Sequence, residues 1–131
     1  MEKLDLPMRP YAVLATCEDG GMLETITDAL AIDTLKKKMA SSAAPAITFA
    51  ECFEKVFGGK GTAGYVAAQR QFVLSMAAYS VFCYVLHIKD RHNGNIMLCR
   101  DGAIAHVDFG IMLNVRYAKV PMQGSEPWQS L

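Results

Sequence analysis

From Tyr65 to Ile88 the chain runs 24 residues without a proline or a glycine, and from Phe72 to Leu86 it carries no charge. No other stretch narrows the fold so far. Its length and lack of breakers make it a long helix. A helix that is apolar nearly all round is either buried in a core or crosses a membrane. A span needs about 20 consecutive apolar residues. Here the uncharged window is broken by Gln71, Ser75, Ser80 and His87 and closed by Arg70 and Lys89. The pattern favours a buried helix that hands the chain directly to the segment after it.

That segment, Lys89 to Leu113, reads KDRHNGNIMLCRDGAIAHVDFGIML. Asp90 is followed five residues later by Asn95, and thirteen after that by Asp108 in an Asp-Phe-Gly triplet. An Asp, an Asn and a second Asp in this order suit phosphoryl transfer. One carboxylate orients or deprotonates the attacking hydroxyl, while an amide oxygen and another carboxylate hold a divalent cation on the ATP phosphates. Mg²⁺ wants oxygen ligands and takes only one or two from the protein. Between Asn95 and Asp108, an apolar run (Ile96 to Cys99), an Arg100-Asp101-Gly102 turn and a second apolar run (Ala103 to Val107) predict a β-hairpin. Such a hairpin sets Asn95 at the start of one strand and Asp108 at the end of the other, facing one metal.

The spacing is that of a protein-kinase catalytic loop and metal motif, but the letters differ from His-Arg-Asp-Leu. Asp90-Arg91-His92-Asn93-Gly94-Asn95 resembles the phosphatidylinositol 3-/4-kinase superfamily. Within it, the run from Ile88 to Ile96 looks most like the type III phosphatidylinositol 4-kinases. The 3-kinases and their large protein-kinase relatives usually carry a Gly before the Asp, where this chain has Lys89. Ala68 to Ile88 and Arg9 to Lys37 are similar to the beta subtype. The resemblance runs from Leu6 to Leu113.

What it implies is an α+β, protein-kinase-like fold: a hinge hairpin, a partial helical C-lobe and a catalytic-loop β-hairpin, with the N-lobe phosphate loop and C-terminal helices missing. Residues 1–131 then divide into the last N-lobe strands and hinge (11–28), a C-lobe core (29–113) and a divergent tail (114–131). The implied reaction is ATP-dependent phosphorylation of the inositol 4-hydroxyl of phosphatidylinositol, with Mg²⁺ (or Mn²⁺). It would take place peripherally on the cytosolic face of a membrane, the Golgi by the same resemblance.

Asp90 would position or deprotonate the hydroxyl. His92 is its rival, because an unperturbed imidazole titrates near pH 6.5. Arg91 completes the catalytic set, bracing the loop by ion-pairing. Asn95 and Asp108 would hold the metal and, through it, ATP. The carbonyl of Glu24 and the amide of Ile26 would hold adenine. Asn93 would shape the loop, Gly94 relieve a backbone constraint, and His106 stand beside the metal motif as a supporting group.

The family's phosphate loop and its ATP-pairing lysine belong upstream of Tyr11, and ten residues precede it. The expectation is a truncated piece of a larger kinase chain, inactive alone. Alternatives are a phosphatidylinositol 3-kinase or related kinase, a catalytically dead pseudokinase scaffold docking a partner through the apolar helix, and a small membrane protein built on that helix.

Charge argues against nucleic acid as a partner: 13 basic and 13 acidic residues leave no net attraction for phosphates. Cys17, Cys52, Cys83 and Cys99 form no CxxC pair and predict reduced, buried thiols in a cytosolic protein. Met1 to Pro10 lacks the apolar centre of a signal peptide.

Tyr11 to Cys17, a turn over Glu18 to Gly21, and Met22 to Thr27 predict a first hairpin. Asp28 to Lys38 predicts a helix whose Lys36-Lys37-Lys38 end suits the dipole, or alternatively touches anionic lipid. Met39 to Pro45 reads as a small-residue linker. Thr48 is placed to cap a helix through Phe57, with Glu51 as its capping-box partner. Gly58-Gly59-Lys60-Gly61 lacks the GxxxxGK[ST] pattern and reads as a loop. In the tail, Arg116 and Lys119 offer charge to an anionic substrate.

Overall fold

A computed structural model describes residues 7–41, 47–113 and 115–116 of the chain. The architecture is α+β, as expected. Among the described residues, seven short strands and three helices follow in the order β1 (Val13–Cys17), β2 (Gly20–Leu23), β3 (Ala29–Ala31), α1 (Ile32–Ser41), α2 (Phe49–Phe57), α3 (Ala63–Val85), β4 (Ile96–Cys99), β5 (Ile104–His106), β6 (Ile111–Met112) and β7 (Val115–Arg116). The strands make an antiparallel β1–β2 hairpin, a three-stranded sheet ordered β3-β4-β5, and a β6–β7 pair.

The first hairpin differs from expectation in its turn. Gly20 and Gly21 belong to β2, and the second strand stops at Leu23. Gly21 faces Ala15 so closely that a Cβ would sit 2.8 Å from the Leu14 carbonyl oxygen. The glycines therefore serve close strand approach, with a bulge between Ala15 and Cys17. Asp28 to Lys38 is likewise not one helix. Ala29–Ala31 is strand β3, paired with Met97–Cys99, and the helix begins at Ile32. Alanine and leucine lean towards helix on their own, but the exposed edge of β4 offers ladder partners, and Arg100 N–H closes the end by donating to Asp28 O at 2.8 Å.

Helix α2 forms as its cap dictates. The Thr48 side chain accepts from Glu51 N–H, and Glu51 Oε2 accepts from Thr48 N–H at 2.6 Å, a reciprocal capping box. Its apolar face meets α3 in an aromatic cluster in which Phe53 touches Phe49, Phe57, Tyr65 and Phe72.

Helix α3 spans 23 residues from Ala63 to Val85, with Thr62 as its N-cap. It is not buried all round. Ala68, Ser75, Ala78 and Tyr79 are buried against the sheet, whereas Val66, Val73, Val81 and Val85 are more than half exposed and Tyr84 is 85% exposed. The sheet and α2 meet α3 on that buried side and leave the opposite face open. Among the described residues no helix is long and apolar enough to cross a membrane. The cysteines also depart from the expected burial: all four are free, but only Cys99 is buried, and Cys17 is exposed at the end of a hairpin open on both faces. The tail beyond residue 116, Lys119 included, lies outside the described residues.

The β4–β5 hairpin is the rigid centre. Cys99, Ala103 and Ala105 form its buried core, with Ile26, Ala29 and Met97 packed against them. Its turn docks on α3 through Gly102, at φ +91°, where a Cβ would lie 2.6 Å from the Ala68 carbonyl oxygen. Both the backbone angle and the contact forbid a side chain. Gly102→Ala is expected to destabilise the protein by at least about 2 kcal/mol, read by urea unfolding. An unchanged midpoint would mean that the turn is not seated on α3.

Candidate functional site

The end of α3 sets the position of the loop that follows. Leu86 caps the helix, His87 turns the chain at φ 50°, and Ile88 N–H donates to Cys83 O at 2.9 Å. β6 is tied alongside: Lys89 N–H donates to Ile111 O at 3.0 Å and Leu113 N–H to Leu86 O at 2.9 Å. The exit of α3 and the segment after Asp-Phe-Gly are thus one backbone unit.

Asp90 and Asp108 both adopt φ of 58°, in the left-handed region that non-glycine residues rarely enter. Such angles persist only where the surroundings impose them, and they cluster at functional sites. Arg91 supplies much of that constraint. Its Nε donates to Lys89 O at 2.9 Å, one terminal nitrogen to Val107 O at 2.8 Å, and the other to Asp108 O. The guanidinium also lies 5.3 Å from the centre of the Phe109 ring. The bracing expected of Arg91 is present, but it acts through backbone carbonyls rather than through an ion pair. The carbonyls are what a left-handed turn leaves pointing inward, and five donors in a planar fork suit them.

Asn95 and Asp108 are brought together by the hairpin. Asn95 sits just before β4, Asp108 two residues after β5, and Val107 N–H donates to Asn95 O at 3.0 Å. Asn95 Nδ2 donates to Asp90 O at 2.9 Å, which leaves its side-chain oxygen as the free end of the amide. Asp108 Oδ1 accepts from Gly110 N–H at 3.2 Å, and its second oxygen takes no partner among the described residues. The donor set on offer is one amide oxygen and one carboxylate, hard oxygen ligands of the kind Mg²⁺ accepts alongside phosphate and water. Among the described residues no group of three or more His, Cys, Asp or Glu could cage a metal by itself.

Asp90 and His92 stand side by side at the surface, with His92 Nε2 3.9 Å from Asp90 Oδ1. Gly94 N–H donates to His92 Nδ1 at 3.0 Å, so the neutral ring carries its proton on Nε2, facing the carboxylate. Gly94 has a role other than the backbone relief expected of it. A Cβ there would meet the His92 ring at 2.8 Å, so the glycine makes room for the imidazole. Asn93 shapes the loop through its carbonyl, which accepts Asp33 N–H at 3.0 Å from the first turn of α1.

Glu24 and Ile26 lie apart from this group, on the segment between β2 and β3. Glu24 folds back on Ala12, its Oε2 accepting Ala12 N–H at 2.7 Å, and Ile26 packs its side chain into the hairpin core. Among the described residues the Glu24 carbonyl and the Ile26 amide take no hydrogen-bond partner.

His106 is the residue whose surroundings the sequence concealed. It is 6% exposed, stacks on Tyr79 with centroids 4.2 Å apart, and places Nδ1 3.5 Å from Cys83 Sγ. Its Nε2 is buried without a partner among the described residues. Burial, aided by the Arg91 charge, pushes its pKa down to about 4, and burial pushes the Cys83 thiol up. The ring is neutral and the thiol protonated. Only the apolar letters around His106 hinted at this.

The family profile described as phosphatidylinositol 3- and 4-kinase matches residues 1–130. The chain is 40% identical over 120 residues to phosphatidylinositol 4-kinase PIK1a of Candida albicans, covering 86% of this chain and 13% of that protein. It is 39% identical over 126 residues to phosphatidylinositol 4-kinase of Dictyostelium discoideum, covering 92% of this chain and 10% of that protein. Against phosphatidylinositol 4-kinase beta of Xenopus laevis it is 40% identical over 113 residues, covering 86% and 13%. The chain therefore spans between 10% and 13% of the length of these relatives.

The buried imidazole makes stability depend on pH. Unfolded, His106 titrates near 6.5; folded, near 4. Between these values the unfolded chain binds a proton that the folded one refuses. His106 therefore costs nothing above about pH 6.5 and removes about 3 kcal/mol as pH falls towards 4. Urea unfolding at pH 7 and pH 4.5 should show this loss, and His106→Phe should flatten it. An equal slope in the variant would contradict the assignment.

Proposed function

The chain belongs to the phosphatidylinositol 3- and 4-kinase family, and from that premise we propose that it carries the catalytic loop and metal motif of a phosphatidylinositol 4-kinase. The observation that carries this reading is the juxtaposition of Asp90, Asn95 and Asp108. One guanidinium and one ladder hydrogen bond hold all three in a single backbone unit. The names of the relatives favour the 4-hydroxyl over the 3-hydroxyl.

In this reading the two substrates are ATP and phosphatidylinositol. Asp90 orients the inositol hydroxyl and takes its proton as the oxygen attacks the γ-phosphorus and the bond from that phosphorus to the bridging oxygen breaks, releasing ADP. The tautomer of His92, with Nδ1 engaged by Gly94, suits it to steady the Asp90 carboxylate and the entering oxygen through Nε2–H rather than to act as the base. Asn95 offers its side-chain oxygen and Asp108 its carboxylate to Mg²⁺, or Mn²⁺. That cation supplies charge neutralisation for the phosphates. Arg91 is a positioning residue that keeps the carbonyls of Val107 and Asp108 in place. Glu24 O and Ile26 N–H are the backbone pair for adenine, steadied by the half-buried Ile26 side chain. Residues 11–28 then correspond to the last N-lobe strands and hinge, 29–113 to the C-lobe core and 114–131 to the tail. The reaction belongs on the cytosolic face of a membrane, Golgi by the family resemblance, with peripheral attachment.

A second reading, a scaffold without activity, draws on the open apolar face of α3. One experiment separates them. The protein purified at its native length is given ATP, Mg²⁺ and phosphatidylinositol in mixed micelles, and the product is identified by position. Inositol 4-phosphate headgroup is expected, with Asp108→Asn lowering kcat by about 10³-fold. Product at the 3-position would reassign the substrate site, and a folded protein with no transfer would favour the scaffold.

A further inference from the structure

Helix α3 carries one polar stripe within its apolar length. Ser75, Tyr79 and Cys83 recur every four residues, on one face. All three touch β5 at its residues Ile104 and His106. Ser75 Oγ accepts Ile104 N–H at 2.9 Å and donates to Gln71 O at 2.7 Å, Tyr79 stacks on His106, and Cys83 Sγ meets His106 Nδ1 at 3.5 Å. Tyr79 is held in turn from its far end, where its hydroxyl oxygen accepts Arg9 N–H at 3.1 Å.

An imidazole is a costly choice for this slot. A phenyl ring would stack on Tyr79 equally well and would not bury an unpartnered nitrogen as His106 Nε2 is buried among the described residues. What the imidazole adds is the contact to Cys83, which fixes the rotation of the ring and with it the end of β5. His106 is the last residue of that ladder, opposite Ile96. It therefore stands next to both Asn95 and the Val107–Asp108 turn. Asp108 needs constraint on two sides to hold its left-handed angle. Arg91 grips the carbonyls from one direction; the His106–Cys83–Tyr79 group holds the strand from the helix.

We propose that His106 is a positioning residue for Asp108, locked to α3 through Cys83 and Tyr79 so that the Asp108 carboxylate stays with the Asn95 amide oxygen. The inference rests on the metal role proposed above for Asn95 and Asp108. It assigns to the buried His106 and the half-buried Cys83 a part in metal affinity that neither could play by contact.

The test measures Mn²⁺ binding by electron paramagnetic resonance on the native-length protein with a non-hydrolysable ATP analogue, so it does not depend on turnover. Wild type should bind Mn²⁺ in the nucleotide complex. His106→Phe keeps the stack and loses the thiol contact; Cys83→Ala removes the contact from the other side. Each should weaken Mn²⁺ binding by about 10-fold. Cys83→Ser, which restores a hydrogen-bond donor, should return to within about 3-fold of wild type. Wild-type affinity in both His106→Phe and Cys83→Ala overturns the inference alone, as does a Cys83→Ser variant no better than Cys83→Ala. A folded wild type that binds no Mn²⁺ with the nucleotide overturns the metal reading and this inference together.

Discussion

One side chain joins the two halves of this site. Arg91 gives its guanidinium to the carbonyls of Lys89, Val107 and Asp108, so the loop after α3 and the turn after β5 cannot move independently. Hydrogen bonds from a charged donor are worth roughly 1.5–3 kcal/mol at most, and the partly buried one to Val107 contributes more than the two exposed ones. That is the scale needed to keep Asp90 and Asp108 at backbone angles that cost on the order of 1–3 kcal/mol apiece. A lysine cannot substitute, since a point charge does not reach three carbonyls in one plane. Phe109, 5.3 Å beneath the guanidinium, closes the arrangement from the Asp-Phe-Gly side.

Around that clamp the rest of the fold acts as a support. Helix α3 works less as a core element than as a rail: its stripe of Ala68, Ser75, Tyr79 and Cys83 seats the hairpin from the Gly102 turn to His106. Helix α1 reaches the loop from the other direction, its first turn bonded to the Asn93 carbonyl. Strand β3 connects α1 to the Glu24–Ile26 segment and pairs with β4. The segment read as binding adenine thus leads directly into the small sheet that holds the strand beginning after Asn95.

Much of the site was legible in the sequence because its logic is local. The apolar–Asp-Gly–apolar pattern specifies the β4–β5 hairpin, and the hairpin brings Asn95 and Asp108 to one end of the sheet. The Thr48–Glu51 capping box was legible for the same reason. What escaped were consequences of distant pairing. Ala29–Ala31 has no strand character until β4 lies beside it, so its letters alone predict helix. The face of α3 bearing Val66, Val73 and Val81 is open because the neighbours of α3 lie on its other side. The carbonyl partners of Arg91 depend on left-handed turns that side-chain letters do not encode. By its letters Gly94 suggests backbone relief, whereas the space it leaves belongs to the ring of His92. The Cys83–His106 contact joins residues 23 apart, and nothing in either neighbourhood announces it.

The most direct test of the clamp is steady-state kinetics of Arg91→Lys in the native-length protein. The account predicts that kcat falls by about 100-fold while KM for the proposed substrate, phosphatidylinositol, stays unchanged and the protein remains folded, because the loss is of positioning in the transition state. A raised KM for the lipid with kcat preserved would contradict it, and would make Arg91 a substrate contact instead of the link between Asp90 and Asp108.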